Sequence, residues 1–497
     1  MKKNILLFIA KGLDINRFEY GGLFKLLDKK YNLTIIIPDA VGARKVSDEI
    51  INTLSGYNVE MIPIEKDRIN KWEMVHDLTC FKYSDEVSSY KVREEMLRRG
   101  AIGDHGFNLI PTNYHKSIRR HGFYLGSRIH LRNLLLNFKI EQSRKKYISK
   151  IDDILKREEY DDFIGRIENE IGINSKMDKI IEDHNPICVI YPTASYDVFF
   201  HDLLFLTSKK SVPLFQLQGS WDCLSSKYKM LHFPSLIGVW GKQGRDHGIN
   251  IQKIESEKIK VIGAPHYEPL FKWHDKIKND SSKNRKNKIY KCLFGGSLRP
   301  FDETFLLKSI ENAINDKILP SMEIIYRPHP YRMPRIDEEN FNDFNWANIK
   351  LDPFVKDFYK RNQNESNTLI NSKFHDIDHL YSLYKSVDII ITPMSTLLLE
   401  SLICGIPVIP IAFGDEKNIW GADKVGEMTH FRELKSIENI LWCRSKDELI
   451  NKILLAIKKT EDINYKNYLR DLSEKFVVRD DSFLNNLTKV LDNFILE

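Results

Sequence analysis

Residues 386–412 read SVDIIITPMSTLLLESLICGIPVIPIA. Opened by Asp388, residues 389–392 form an apolar run too short for a helix and rich in β-branched side chains. They predict a buried strand, closed by Pro393. Ser395 and Thr396 stand where an N-cap belongs, ahead of Leu397, Leu398 and Leu399. Glu400 falls in the first turns, and Gly405 supplies the stop. Beyond Pro407, residues 408–411 predict a second buried strand. Such a strand–helix–strand unit is the building block of a parallel sheet. The start of its helix offers free N–H groups and the positive dipole end, and so forms a candidate anion site to which the two hydroxyls add hydrogen bonds. Glu400, one turn further in, is a candidate acceptor for a diol such as ribose. An ordinary cap and a solvated helix glutamate give the same pattern, so the surroundings must decide.

Two upstream segments supply those surroundings. Residues 289–294 predict a strand running into Gly295-Gly296-Ser297, where backbone amides can approach a phosphate and Ser297 can donate to it. Residues 322–326 predict another strand, with Arg327 and His329 at its carboxyl end and Pro328 and Pro330 holding the loop out of helical geometry. A guanidinium there can grip two oxygens of a diphosphate. His329 can donate to a departing phosphate or a sugar. The plainer alternative pairs Arg327 with a structural carboxylate and His329 with a backbone carbonyl.

On these residues the chain resembles a known superfamily. The run 386–409 looks like the donor-nucleotide segment of GT-B glycosyltransferases. Ile324-Ile325-Tyr326-Arg327-Pro328-His329-Pro330 is similar to the Arg-Pro-His-Pro segment of CDP-glycerol glycerophosphotransferases and capsule-polysaccharide transferases. Val261-Ile262-Gly263-Ala264-Pro265 resembles the interdomain motif of the same superfamily. The resemblance implies the α/β GT-B fold, two Rossmann-like domains facing across a cleft. The boundaries expected are an acceptor domain at 1–275, a nucleotide-donor domain at 276–480 and a helix at 481–497 crossing back to the first domain. It also implies that the region of His375 and Asp376 touches the nucleobase or ribose, and that the loop after residue 411 reads the donor sugar.

The first half opens in the same rhythm. Residues 4–10, 33–38 and 59–64 predict strands, with a loop at 11–20 and an amphipathic helix after Gly21-Gly22. No G-x-G-x-x-G dinucleotide fingerprint is present. Asp14 and Glu19 could face a cleft, but they read as solvated loop residues. Strands resume at 187–191, 213–217 and 236–240, each ending in small and polar residues. Where the glycerophosphotransferases carry His-Gly, with the histidine a candidate base, this chain has Gln218-Gly219, and an amide takes no proton at neutral pH. Asp222 and Asp197 become the replacement candidates.

Residues 65–185 break the rhythm and predict a basic helical insertion. Between 98 and 150 twelve Lys and Arg face only Asp104 and Glu141, a surplus of ten against +6 for the whole chain. Interleaved Phe107, Tyr114, Phe123, Tyr124, Leu131, Leu134 and Phe138 make this a candidate surface for anionic lipid or a phosphorylated acceptor. A solvated face that is simply basic fits as well. Nucleic acid is not expected, since no recognisable binding module accompanies the charge. Residues 272–288 form a polar linker, and 337–365 read as a surface insertion.

Composition bounds the rest. At 497 residues and 42% hydrophobic content, two domains are expected, each with its own core. The six cysteines show no paired spacing and read as reduced core residues, which excludes a disulfide scaffold and a zinc module. No apolar run approaches a membrane span, and the apolar start at 5–10 is too short for a signal peptide. A cytoplasmic protein is expected, peripheral to the membrane at most. The function implied is metal-independent glycosyl transfer from a nucleotide-activated donor, a substrate rather than a cofactor, to a surface polysaccharide or its precursor. Its candidate site residues are Gly295, Gly296, Ser297, Arg327, His329, His375, Ser395, Thr396 and Glu400 for the donor, and His329, Asp222 and Asp197 for catalysis. A CDP-glycerol type polyol-phosphate transferase, a nucleotide-sugar 2-epimerase and a non-catalytic glycan-binding scaffold are the alternatives.

Overall fold

In a computed structural model, the chain is described at residues 2–41, 44–99, 114–157, 160–277, 289–296, 303–329, 341, 344–362, 376–414 and 421–496. Seven strands, β1 (Asn4–Phe8), β2 (Asn32–Asp39), β3 (Asn58–Pro63), β4 (Cys188–Thr193), β5 (Leu214–Gln218), β6 (Leu236–Val239) and β7 (Ile259–Val261), form one parallel sheet in the order β3-β2-β1-β4-β5-β6-β7. Five more, β8 (Tyr290–Gly295), β9 (Met322–Arg327), β10 (Ile349–Leu351), β11 (Ile389–Pro393) and β12 (Val408–Ile411), form a second in the order β10-β9-β8-β11-β12. These are two parallel Rossmann-like sheets, the α/β class expected.

Both sheets are buried on both faces, which is why their strands read as continuous apolar runs. Side chains of the first strand alternate between two cores. Ile5, Leu7 and Ile9 join one core with Phe483, Leu487 and Leu491 of the helix Phe483–Leu496. Leu6, Phe8 and Ala10 join the other, with Phe199, Phe200, Leu203 and Leu204. All six cysteines are buried and unpaired. In each sheet the strand order reverses beside a central strand, between β1 and β4 and between β8 and β11. Loops leaving the carboxyl ends diverge at such a point and open a crevice.

Three local expectations change. Residues 12–20 are not a loop but the helix Gly12–Tyr20, held by buried Ile15 and Phe18 at helical spacing and joined to β1 by a short connection. The stretch expected as a surface insertion supplies β10 at the sheet edge and the helix Pro353–Asn362. Asp352 between them is buried. Residues 272–277 complete the helix Glu268–Ile277 rather than opening a linker, and 278–288 lie outside the described residues.

By contacts the chain divides into two compact units. One holds both sheets, and the other comprises residues 65–172 with 427–429. The second unit is helical. Its helices Lys66–Lys82, Ser88–Arg98, Tyr114–His121, Phe123–Arg157 and Tyr160–Ile171 bury Trp72, Val75, Leu78, Val92, Met96, Ile148 and Ile151. No described helix is long and apolar enough to cross a membrane.

Candidate functional site

At the switch point of the second sheet, β8 ends at Gly295 in register with Arg327 of β9, and the Gly296 amide donates to the Arg327 carbonyl at 2.8 Å. A Cβ on Gly295 would lie 2.1 Å from Leu397 Cδ1, and one on Gly296 would lie 2.8 Å from Pro328 Cα and from the His329 nitrogen. Gly296 is therefore required by packing, because it abuts the backbone of the turn at 327–329 directly, whereas Gly295 meets only the movable end of Leu397. Gly295, Gly296, Arg327, His329, Ser395 and Thr396 thus come together at one sheet edge. Ser297 and His375 lie outside the described residues.

Within that edge several side chains have partners other than those expected. The Ser395 hydroxyl pairs with the Thr392 hydroxyl at 2.8 Å and caps no amide, so the opening turn of the helix has no side-chain cap. The Arg327 guanidinium is buried and paired with Asp352, whose other oxygen contacts His379 Nε2 at 2.9 Å. Burial works to raise the Asp352 carboxyl, but His379 and Arg327 outweigh it and hold it below the usual range. A guanidinium held this way has little left to grip a diphosphate. Glu400 is also buried. One oxygen accepts from Tyr267 at 3.0 Å and the other from Tyr384. Burial raises its pKa and the two tyrosines pull it back. Tyr267 follows the last strand of the first sheet and Glu400 lies on the helix Thr396–Cys404 between β11 and β12, so this bond joins the two halves where a ribose acceptor was expected. Asp376 caps the helix Ile377–Ser386 by accepting from His379 N at 2.9 Å.

At the switch point of the first sheet, Lys11 and Asp14 follow β1, residues 194–197 follow β4, and Gly219 follows β5. Lys11 Nζ donates to Ser195 Oγ and to the Tyr196 carbonyl, both at 2.6 Å. Arg17 Nη1 donates to the Gly219 carbonyl at 2.8 Å. A Cβ on Gly219 would lie 2.9 Å from Asp14 Oδ1, which places the carboxyl against that loop. Asp14 is fully buried, and no side chain among the described residues donates to either oxygen, while the Ala194 amide lies close enough to favour its charged form. Burial pushes its pKa up to about 6. Lys11 and Arg17 draw it back, and Asp197 adds to the rise.

The two acids expected to serve catalysis differ from Asp14. Asp197 accepts from Tyr191 Oη at 2.8 Å, Thr193 Oγ1 at 2.9 Å and Phe199 N at 2.9 Å, so it braces the β4 loop. Burial raises its pKa as well. Asp222 accepts from Ser220 Oγ at 2.6 Å and Ser226 Oγ at 2.8 Å, with Lys227 Nζ at 3.0 Å. Burial opposes its charge, but Lys227 and Ser220 prevail and hold the carboxyl far below its usual range, where it is a poor base. Gln218 is structural. Its side-chain oxygen accepts from Tyr228 Oη at 2.9 Å and its carbonyl from Trp240 Nε1 at 2.6 Å.

Asp14 and Arg17 are what the sequence reading passed over. The signal that could have found them is the spacing Ile15/Phe18 directly after a buried strand. It makes residues 12–20 a helix and turns residue 14 towards the sheet edge.

No family model matches the chain, and no curated protein matches it by sequence. Among solved structures it is similar to the S. aureus MnaA–UDP co-structure, at 12% identity and a TM-score of 0.46 over 100% of this chain and 98% of that one. A Neisseria meningitidis UDP-GlcNAc 2-epimerase bound to UDP-GlcNAc gives 11% and 0.44, over 99% of each chain. Arabidopsis thaliana UGT89C1 complexed with UDP-L-rhamnose gives 10% and 0.45, over 100% of each.

Proposed function

We propose that this chain is an enzyme acting on nucleotide-linked sugars, breaking the bond between the anomeric carbon and the diphosphate, with Asp14 as the proton-accepting group. The observation that carries this is the Asp14 carboxyl, buried and without a side-chain hydrogen-bond partner among the described residues, at the switch point of one sheet. A carboxyl with a pKa near 6 is ionised at neutral pH yet basic enough to take a proton in the transition state. The diphosphate takes the matching edge of the second sheet. There the amides of the turn at Ser395-Thr396, with His329, offset the charge that develops as it leaves. Arg327 contributes through Asp352, by holding the turn that carries His329, rather than by gripping phosphate itself.

Transfer of the freed glycosyl group to a surface polysaccharide or its precursor is the first form of the reaction. There Asp14 deprotonates the acceptor hydroxyl. Epimerisation at the sugar's C2 is the second form. It needs one group to remove a proton and another to return it, and the second carboxyl with a raised pKa, Asp197, favours it. Polyol-phosphate transfer has no base at Gln218, whose side chain and carbonyl are both engaged in the first sheet's core.

The test presents UDP-, CDP-, GDP- and CMP-linked sugars and follows nucleotide release and the sugar product by NMR. Release that depends on a glycan acceptor supports transfer, and an altered sugar without acceptor supports epimerisation. Binding of a donor with turnover of none overturns both and leaves a binding scaffold. Asp14→Asn is expected to lower kcat by about 10²–10⁴-fold with donor affinity retained. An unchanged kcat would remove Asp14 from the reaction.

A further inference from the structure

The helix Phe123–Arg157 differs between its two halves. From Arg144 onward it belongs to the core of the helical unit. Arg144 Nη1 donates to the Leu97 carbonyl at 3.2 Å, Asp152 accepts from Arg98 at 2.6 and 2.9 Å, and Ile148 and Ile151 are buried. At its start, as far as His130, the helix packs on one side against the helix Tyr114–His121. Gly126 allows the contact, since a Cβ there would lie 2.6 Å from the Ser117 carbonyl. Ser117 Oγ donates to the Gly126 carbonyl at 2.7 Å, and the Tyr114 ring meets His130 at 5.2 Å.

The opposite side carries large apolar side chains in the open. Phe123 is 73% exposed, Tyr124 82%, Leu131 59% and Phe138 61%, with Leu134 and Leu135 exposed beside them. At about 100° per residue these six fall within one arc of about 120°, and the exposed Leu125 and Leu136 lie on the far side of the cations that border it. Arg128, Arg132, Lys139 and Lys146 follow along one border of that arc, all exposed. Between residues 123 and 140 the chain has no acid at all.

We infer that the exposed face of residues 123–146 docks on an anionic lipid surface, with the aromatic and leucine side chains entering the headgroup layer and the bordering cations meeting lipid phosphates. The inference lies outside the nucleotide-sugar reading and holds whichever form of that reaction is correct. A helix of this make-up lies in the interface plane, its apolar arc immersed and its long cationic side chains reaching up to the phosphates. Charge decides against a second copy of the chain. Helix pairing needs complementary charges beside an apolar seam, and here two copies would align like cations with only Glu141, already paired with Arg144, as an acid. A nucleic acid would satisfy the cations but leave the leucines and Phe138 in water.

The test is co-sedimentation of the full chain with vesicles of phosphatidylcholine alone and of phosphatidylcholine with phosphatidylglycerol. Two variants are compared, R128Q/R132Q/K139Q and L134Q/L135Q/F138Q. The parent should bind the anionic vesicles and release them as salt rises. The charge variant should bind about a hundredfold more weakly, since each cation near an anionic surface is worth about fivefold. The apolar variant should lose most binding at every salt concentration. Far-UV circular dichroism and donor affinity, both unchanged, confirm that the variants fold. Equal sedimentation of parent and charge variant, or equal binding to neutral and anionic vesicles, overturns the inference. So does a dimer in sedimentation velocity that the apolar variant dissociates, with vesicle binding unchanged.

Discussion

At the scale of single residues, Asp14 sets a conflict between stability and chemistry. Burial lifts its pKa from 3.8 to about 6, so the folded state holds the proton more tightly than the unfolded chain. Below the unfolded value both states are protonated and nothing is lost. Between pH 3.8 and about 6 the cost of the buried charge grows, and above that it stays constant at about 3 kcal/mol. Asp14→Asn is therefore expected to stabilise the chain by about 2–3 kcal/mol at about pH 7.5 and to change it little near pH 3.5. Urea unfolding at the two pH values measures this, and equal shifts at both would mean that the carboxyl has the same pKa folded and unfolded. The same titration predicts that kcat/KM of the parent falls on the acid side of about pH 6. Arg327 shows the opposite economy. Its charge balances Asp352 inside the second sheet, so its removal leaves a buried carboxylate with His379 and the Phe354 amide but no permanent cation beside it.

At the scale of elements, the helix Phe483–Leu496 is part of the first sheet's core although it is last in sequence. Phe483, Leu487 and Leu491 are almost fully buried against β1 and its neighbours. Leu487→Ala should cost about 2–5 kcal/mol, the range for leucine truncation in a closed core. A midpoint of chemical denaturation within error of the parent would show that the helix packs elsewhere in solution. The long helix of the other unit makes the complementary point. Its second half is fixed by buried isoleucines and the Arg98–Asp152 pair, and its first half has one packed side only. Of the twelve cations counted between 98 and 150, Arg98 and Arg144 serve this internal framework, and the cationic border of the exposed arc comes from Arg128, Arg132, Lys139 and Lys146.

At the scale of the whole molecule, the two sheets belong to one compact unit and the basic helices to another. A nucleotide held by the sheets stabilises only the unit that contains them. With a binding nucleoside diphosphate sugar at about 100 times its Kd, the gain is about 2.7 kcal/mol, which moves a transition of that size by about 3 °C. Calorimetry should resolve this as a shift of the larger transition with the smaller one unmoved. Equal shifts in both would place the ligand in contact with both units.

Most of the strands were determined by the sequence alone; β10 was not, since its residues read as a surface insertion. A buried parallel strand needs only a short β-branched run with turn residues at its end, and residues 389–393 and 408–411 state that locally. So were the helix stop at Gly405, which sits in the left-handed conformation at φ 64°, and the gathering of Gly296, His329 and Ser395 at strand ends, since in a parallel sheet every carboxyl end faces the same way. Partner choice was decided only by tertiary structure. Arg327 meets an aspartate 25 residues on, and Glu400 meets a tyrosine 133 residues before it. No local pattern encodes such pairs. Asp14 was misread for the same reason. Polar residues after a strand look solvated in sequence, and burial is imposed on this one by the loops of β4 and β5, some 180 and 205 residues away. Side-chain chemistry in this chain is set by what the sheet order brings alongside, and that order is a property of the whole fold.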